Sequence, residues 1–333
     1  ASLLSRIYST VFYCLKIGWI DLEVKKVFIA GHSGLVGQAF LAHFSTDKSV
    51  DLVTKTHEEL DLTQQLPVAS FFKCEKPDCV IIAAGKVGGI KANMEAPAQY
   101  IYENAMIAAN IIHQSWINGV EDLLFFGSTC MYPRYCPQPM REDSLLSGPL
   151  EPSNESYALA KLAGWKLVES YNLQYGTKFR TVIPANLYGP NDNFDPYEGH
   201  VIPALIQKIH NAKEEKSGEI TVWGSGEARR DFLFVDDLVE AFDFLEQHPK
   251  VLGPINIGTP REVSIRQLVD LLREVIDFSG AIHFDHSKPD GMPFKKVDTH
   301  QLDKLGWRSG TSLRDGLEKT YEWFLYSKHN SRA

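Results

Sequence analysis

Val27-Phe28-Ile29-Ala30-Gly31-His32-Ser33-Gly34-Leu35-Val36-Gly37 is the stretch on which the reading of this chain turns. Val27–Ala30 reads as a short buried strand, and the pattern from Leu35 to Phe44 reads as a helix. Between them lie three glycines spaced G-x-x-G-x-x-G. Gly31 permits a tight turn, Gly34 lets the backbone approach an anion, and Gly37 allows close helix–strand packing. The helix N-terminus adds free N–H groups and a partial positive charge. Strand, glycine turn and helix in that order predict a dinucleotide pyrophosphate site made by Gly31, His32, Ser33, Gly34, Leu35, Val36 and Gly37. A purely structural glycine turn is the plainer alternative.

Outward from the turn, short apolar runs alternate with helical patterns. Further strands are predicted at Asp51–Thr54, Cys79–Ala83, Leu123–Gly127 and Thr181–Pro184, with helices at Leu66–Cys74, Pro97–Asn118 and Tyr157–Tyr175. The runs VIIAA and LLFFG are apolar throughout, as strands covered on both faces must be. The pattern predicts an α/β fold, a doubly wound parallel sheet of Rossmann type. After about residue 184, turn-rich loops (YGPNDNFDP, VWGSGEARRD, HSKPDGMPFKK) separate helices near Val201–Ala212, Val235–Gln247, Ile265–Ile276 and Ser312–Ser327. We therefore expect an extension over 1–24, a dinucleotide-binding domain over 25–185, and a smaller, mainly substrate-binding domain over 186–330. Some segments of the last return to the first.

The composition fits. The 333 residues are 44% hydrophobic and 23% charged, which excludes disordered and disulfide-scaffold classes. A net charge of −8 argues against a general nucleic-acid binder, although a local basic pocket for an anionic small substrate stays open. No run approaches the roughly 20 apolar residues that span a bilayer. Cys14, Cys74, Cys79, Cys130 and Cys136 are odd in number and lack metal-type spacing, so reduced thiols in the cytoplasm and no metal are expected. In residues 1–24 the longest uncharged apolar stretch, near Val11–Leu15, is cut by Lys16. An extra helix or loose extension is expected there, with a weak interfacial anchor as the alternative and no signal peptide.

Cofactor choice rests on the end of the second strand, Val53-Thr54-Lys55-Thr56-His57, which carries no acid for a ribose hydroxyl. Lys55, helped by Ser33 and His57, favours the 2′-phosphate of NADP. Tyr157-Ala158-Leu159-Ala160-Lys161 sets a phenol and an ammonium on one helix face, where that cation and the positive nicotinamide of an oxidised cofactor are expected to favour the phenolate. The strand over Leu123–Gly127 ends in Ser128-Thr129-Cys130, so Ser128 faces the ligand crevice beside Tyr157.

Glycine turn, strand-end serine and YxxxK together resemble the extended short-chain dehydrogenase/reductases. The segments KVGGIKAN, GSTCMYP, EPSNESYALAK, NLYGPNDNF, HVIPALI, VWGSGEARRDF and SKPDG resemble the branch acting on GDP-4-keto-6-deoxymannose, from about Lys26 to Phe324. The resemblance implies inversion of the sugar at C3 and C5, then reduction of its 4-ketone with NADPH. It implies Ser128, Tyr157 and Lys161 at the ketone, and Cys130 and His200 as the epimerising base and acid. Cofactor contacts would come from Phe126, Gly127, Ser128 and Thr129, from Pro184, Ala185, Asn186 and Leu187, and from Lys161 and His200. Asp61 would reach the adenine, unless it merely caps a helix. Lys208, Trp223, Arg230, Asp290 and Lys295 would hold the nucleotide sugar, with Arg229 able to share the role of Arg230. Relatives usually carry threonine where Ala185 stands, which is harmless if the backbone makes the contact. A homodimer through the two long helices is expected by analogy. Other nucleotide-sugar epimerases or dehydratases, and a non-catalytic dinucleotide sensor, are the competing readings.

Overall fold

The computed structural model describes residues 24–196, 199–288, 290 and 292–330. The predicted N-terminal extension therefore lies outside the described residues, apart from Val24. The main sheet holds β1 (Lys25–Ala30), β2 (Val50–Val53), β3 (Cys79–Ile82), β4 (Asp122–Phe126), β5 (Arg180–Pro184) and a sixth strand, Ile255–Ile257. Neighbouring strands pair in parallel in the order β2-β1-β3-β4-β5, with Ile255–Ile257 outermost. Strand order reverses between β1 and β3. In a doubly wound sheet that reversal opens a crevice outside the carboxyl ends of the strands.

The helices between these strands are α1 (Leu35–Ser45), α2 (Gln65–Glu75), a short α3 (Ile90–Glu95), α4 (Pro97–Ile117) and α5 (Glu155–Tyr175). Side chains on a strand alternate between faces, and β4 shows the consequence. Phe125 meets α5, whose Gly164 would drive a Cβ to 2.3 Å from the Phe125 ring. Its neighbour Phe126 packs instead on Phe40 of α1, with ring centroids 6.0 Å apart. Phe28 of β1 lies against Phe71 and Phe72 of α2. Helices thus cover both faces, which is why the strand sequences are apolar throughout. Full burial of each phenylalanine is worth about 1.5–3 kcal/mol.

Beyond β5 the chain builds a second apolar cluster. It contains β6 (Asn186–Tyr188), α6 (Val201–Glu214), β7 (Glu219–Trp223), β8 (Arg229–Arg230) and β9 (Phe232–Phe234). After α7 (Val235–Glu246) and β10, the strand Ile255–Ile257, come β11 (Val263–Ser264), α8 (Ile265–Ile276), β12 (Ala281–Asp285), β13 (Phe294–Lys295), α9 (His300–Leu305) and α10 (Leu313–Asn330). Helix α8 starts at a capping box between Ser264 and Gln267 and buries Leu268, Val269, Leu272 and Ile276, a helical stripe. By contrast α7 packs on α1, with Phe242 edge-on to Phe40. Strands β6 and β9 pair in parallel and tie the two clusters together. The Asn186 backbone N–H and its side-chain Nδ2 both donate to the Asp231 carbonyl.

The eight long helices among the described residues fall within three residues of the sequence expectation at each end, and α8 matches it at both. The sequence reading did not predict α3, α9 or any strand after Pro184. Most of those strands are only two or three residues long. The exceptions are β7 and β12, and in β7 the exposed–buried alternation of Glu219–Trp223 is the signal that was available.

Candidate active site

The first element of the site is the glycine turn between β1 and α1. Gly31 has φ +83°, and a Cβ there would sit 2.5 Å from the Ala84 nitrogen at the end of β3. A Cβ on Gly37 would lie 2.1 Å from the Gly31 carbonyl oxygen. Both contacts are with backbone that cannot yield, so the turn requires glycine at each position. At Gly34 a Cβ would meet only the Gly31 oxygen, at 3.9 Å, so space is open there. No side chain caps α1, and the buried Nδ1 of His32 has no hydrogen-bond partner. Open space above uncapped N–H groups suits the diphosphate of a dinucleotide.

Lys55 lies half-buried past the end of β2. The sequence reading found no acid at this tip, but the fold brings Glu59 back to it. Its carboxylate accepts the Thr56 N–H at 2.8 Å, and that bond, with smaller help from Lys55 and His32, lowers its pKa. Glu59 is thereby committed to its own turn. Asp61 takes the turn role: it accepts the Thr63 N–H at 2.9 Å and hydroxyl at 2.7 Å.

At the carboxyl end of β4, Gly127 donates its N–H to the Val182 carbonyl and Ser128 begins the short turn Thr129–Met131. The Ser128 Oγ accepts the Cys130 N–H at 3.2 Å. This fold-back sets hydroxyl and thiol on one ledge. Tyr157, near the start of α5, comes to the same ledge. Burial pushes its phenol well above the ordinary tyrosine range, the charge of Cys130 adds to the shift, and a hydrogen bond to Ser128 opposes it. The Tyr100 ring stands edge-on to it, 6.4 Å between centroids.

Lys161 is tied to the backbone beside the phenol. Its Nζ donates to the Phe126 carbonyl at 2.9 Å and lies 5.9 Å from the Tyr157 ring centre. Burial lowers the lysine to about 8, whereas nothing lowers Tyr157 below its normal value. Before any cofactor charge acts, burial thus favours the neutral phenol, the form a proton donor must have. The sign of the lysine shift fixes its effect on stability. Between pH 8 and the unperturbed 10.5 the unfolded chain holds a proton that the fold does not, so Lys161's burial penalty is full below 8 and is relieved as pH rises.

His200 comes from another part of the fold, the residue immediately before α6. Its side chain is 56% exposed, and its Nδ1 lies 4.0 Å from the buried carboxylate of Asp192. The sequence reading quoted NDNF but gave Asp192 no role. Burial raises the pKa of Asp192 and the charge of His200 opposes that rise. Asn104 was also missed. Its amide holds the loop after β3 through the N–H and carbonyl of Lys86, and it approaches Lys161 near Gly85.

The remaining predicted residues divide. Ala185 spends its N–H on the Ile257 carbonyl and is buried, with Pro184 before it in β5 and Asn186 and Leu187 after it in β6. Arg230 and Lys295 are register partners on β8 and β13, and the charge of Asp290 acts on Arg230. Asp290 is itself held by the Ser225 N–H and hydroxyl, which closes the loop. Lys208 donates to the Thr221 carbonyl. Trp223, two residues along the same strand, is 63% exposed with the Lys288 ammonium 5.5 Å from its ring centre. Arg229, one residue before Arg230, is paired with Glu262, which also binds Lys296 at 3.0 Å.

A crevice at the strand ends, a glycine turn and a serine–tyrosine–lysine set define a dinucleotide-dependent enzyme of the short-chain reductase type. The chain belongs to the NAD dependent epimerase/dehydratase family, whose model matches residues 27–258. It is similar to GDP-L-fucose synthase 1 of Arabidopsis thaliana, 49% identical over 300 residues, 90% of this chain and 93% of that protein. It is also similar to GDP-L-fucose synthase of Escherichia coli K12, 47% identical over 321 residues, 94% of this chain and 100% of that one. Among solved structures, a GDP-D-glycero-L-gluco-heptose synthase from Campylobacter jejuni, in the presence of NADPH, matches with TM-score 0.85. The identity is 35%, covering 90% of this chain and 98% of that one.

Proposed function

We propose that this chain converts GDP-4-keto-6-deoxymannose to GDP-L-fucose, by inversion at C3 and C5 followed by reduction of the 4-ketone. The observation that carries the proposal is the ledge at the end of β4, where the Ser128 hydroxyl, the Cys130 thiol and the Tyr157 phenol converge. A 4-ketone acidifies the hydrogens on both neighbouring carbons. Ser128 and Tyr157 hydrogen-bond the C4 oxygen and stabilise the enolate charge that forms there. Cys130, as thiolate, takes the proton from C3 and then from C5. His200 returns a proton to the opposite face of each carbon.

Each inversion leaves Cys130 protonated and His200 one proton short, so both must reset before the second. The exposure of His200 gives it that exchange with solvent. In the final step Tyr157 gives its proton to the C4 oxygen. The cofactor, NADPH, supplies hydride to C4 when bound. Gly31 to Gly37 would cradle its diphosphate and Lys55 would meet its 2′-phosphate, while Lys161, fixed on the Phe126 carbonyl, would hold the nicotinamide ribose. A dehydratase would need acidic residues after Ser128. Here Thr129, Cys130 and Met131 follow, and the Met131 sulfur accepts the Ser128 N–H.

We further infer a cytoplasmic homodimer. No helix among the described residues is long and apolar enough to cross a membrane, and four of the cysteines are free thiols. The outer faces of α4 and α5 leave Ile101, Tyr102 and Leu159 exposed, an unpartnered apolar surface that suits association.

The direct test mixes the protein with GDP-4-keto-6-deoxymannose and NADPH and follows absorbance loss and product stereochemistry. GDP-L-fucose is expected; a product reduced at C4 without inversion refutes the proposal. The cofactor assignment has its own test. Lys55→Asp is expected to lower the NADPH:NADH ratio of kcat/KM by about 10–100-fold, the worth of one charge-assisted hydrogen bond. An unchanged ratio removes Lys55 from cofactor selection.

A further inference from the structure

Two groups on Cys130 have no place in the mechanism above. The Nδ2 of Asn154 lies 3.0 Å from its sulfur, and the Nζ of Lys295 lies 3.8 Å away. Asn154 occupies the residue before α5, where an asparagine ordinarily accepts a helix N–H through its side-chain oxygen. Here that bond is not made. The amide turns to the thiol, and its Oδ1 is buried with no partner. Lys295 arrives from the second cluster on β13, while Lys296 beside it is taken up by Glu262 and the Pro260 carbonyl. Alternation along that short strand therefore sends one lysine to the thiol and the other away from it.

Building on the epimerase reading, we infer that Lys295 and Asn154 are positioning residues that hold the Cys130 sulfur as a thiolate aimed at the sugar. The ammonium supplies the compensating charge and the amide N–H fixes the direction of the lone pair. Lys295 thereby leaves the set of residues that grip the diphosphate. The counter-charge of the base is thus carried by the other cluster.

The primary readout, thiol alkylation, needs no substrate, so it is separate from the epimerase reading. Iodoacetamide alkylation at pH 7.5 is followed peptide by peptide, with the exposed Cys74 as internal standard and NADPH binding as a check on folding. Lys295→Met is expected to slow Cys130 alkylation about tenfold or more, Lys295→Arg to restore most of it, and Cys74 to keep its rate. Asn154→Asp, which sets a like charge beside the sulfur, is expected to slow Cys130 further. Unchanged Cys130 alkylation in Lys295→Met, with a raised KM for the nucleotide sugar, overturns the proposal and returns Lys295 to the diphosphate. A slowed thiol with undiminished solvent exchange at C3 and C5 supports the clamp but refutes Cys130 as the epimerising base.

Discussion

Tyr157→Phe is expected to slow reduction of the 4-ketone by roughly 10³-fold or more while leaving the NADPH Kd unchanged. The phenol has two jobs at C4: it donates a hydrogen bond to the oxygen and it surrenders its proton as hydride arrives. Losing an oxyanion donor typically costs about 10²–10³ in rate, and losing a general acid about 10²–10⁴. Reduction needs both jobs and enolisation needs only the first. Solvent exchange at C3 and C5 should therefore fall only by the donor's share, about 10²–10³-fold, because Ser128 still polarises the ketone. Separate measurement of the two rates gives the contrast. Equal losses in both would mean that Tyr157 acts through binding alone. The neutral phenol described above sharpens the expectation, since the group is protonated across the neutral range and needs no prior protonation step.

Cys130→Ser is expected to produce the opposite pattern. Exchange of solvent deuterium into C3 and C5 should fall by about 10²–10⁴-fold, the range for loss of a positioned general base. A serine hydroxyl at that site does not ionise at neutral pH, so the Lys295 ammonium has nothing to stabilise. NADPH binding and the ketone-reducing groups are untouched, so the variant should reduce the uninverted ketone and divert the product to a sugar without the fucose configuration. Exchange at the wild-type rate would exclude the thiol as base. Together the two variants divide the site into a ketone half, on β4 and α5, and an epimerising half.

The ketone half and the cofactor turn were legible in the sequence because each rests on local rules. Gly31, Gly34 and Gly37 announce a turn by spacing alone, and the apolar runs of β3 and β4 announce strands covered on both faces. Tyr157 and Lys161 share a helix face by arithmetic. Other features depend on contacts between distant segments, which spacing does not record. Lys295 and Lys296 are indistinguishable as a pair of bases. Only the pairing of β13 with β8 sends one to Cys130 and the other to Glu262. The same holds for Arg229 and Arg230. Asn154, which the sequence reading gave no role, meets the thiol because the turn at Thr129–Met131 brings the sulfur to it. The Lys161 ammonium and an oxidised nicotinamide were expected to draw the Tyr157 phenol towards its ionised form. In the fold that ammonium is spent on the Phe126 carbonyl, and burial dominates.

The central claim is that a single site both exchanges hydrogens on two carbons and reduces the carbon between them. It is tested most directly by running the wild-type reaction in D₂O with NADPH and GDP-4-keto-6-deoxymannose and reading the product by NMR. The account predicts GDP-L-fucose with one deuterium at C3 and one at C5, and cofactor-derived hydrogen at C4. A reduced sugar carrying no solvent deuterium at either carbon would contradict it, leaving only a ketone reductase.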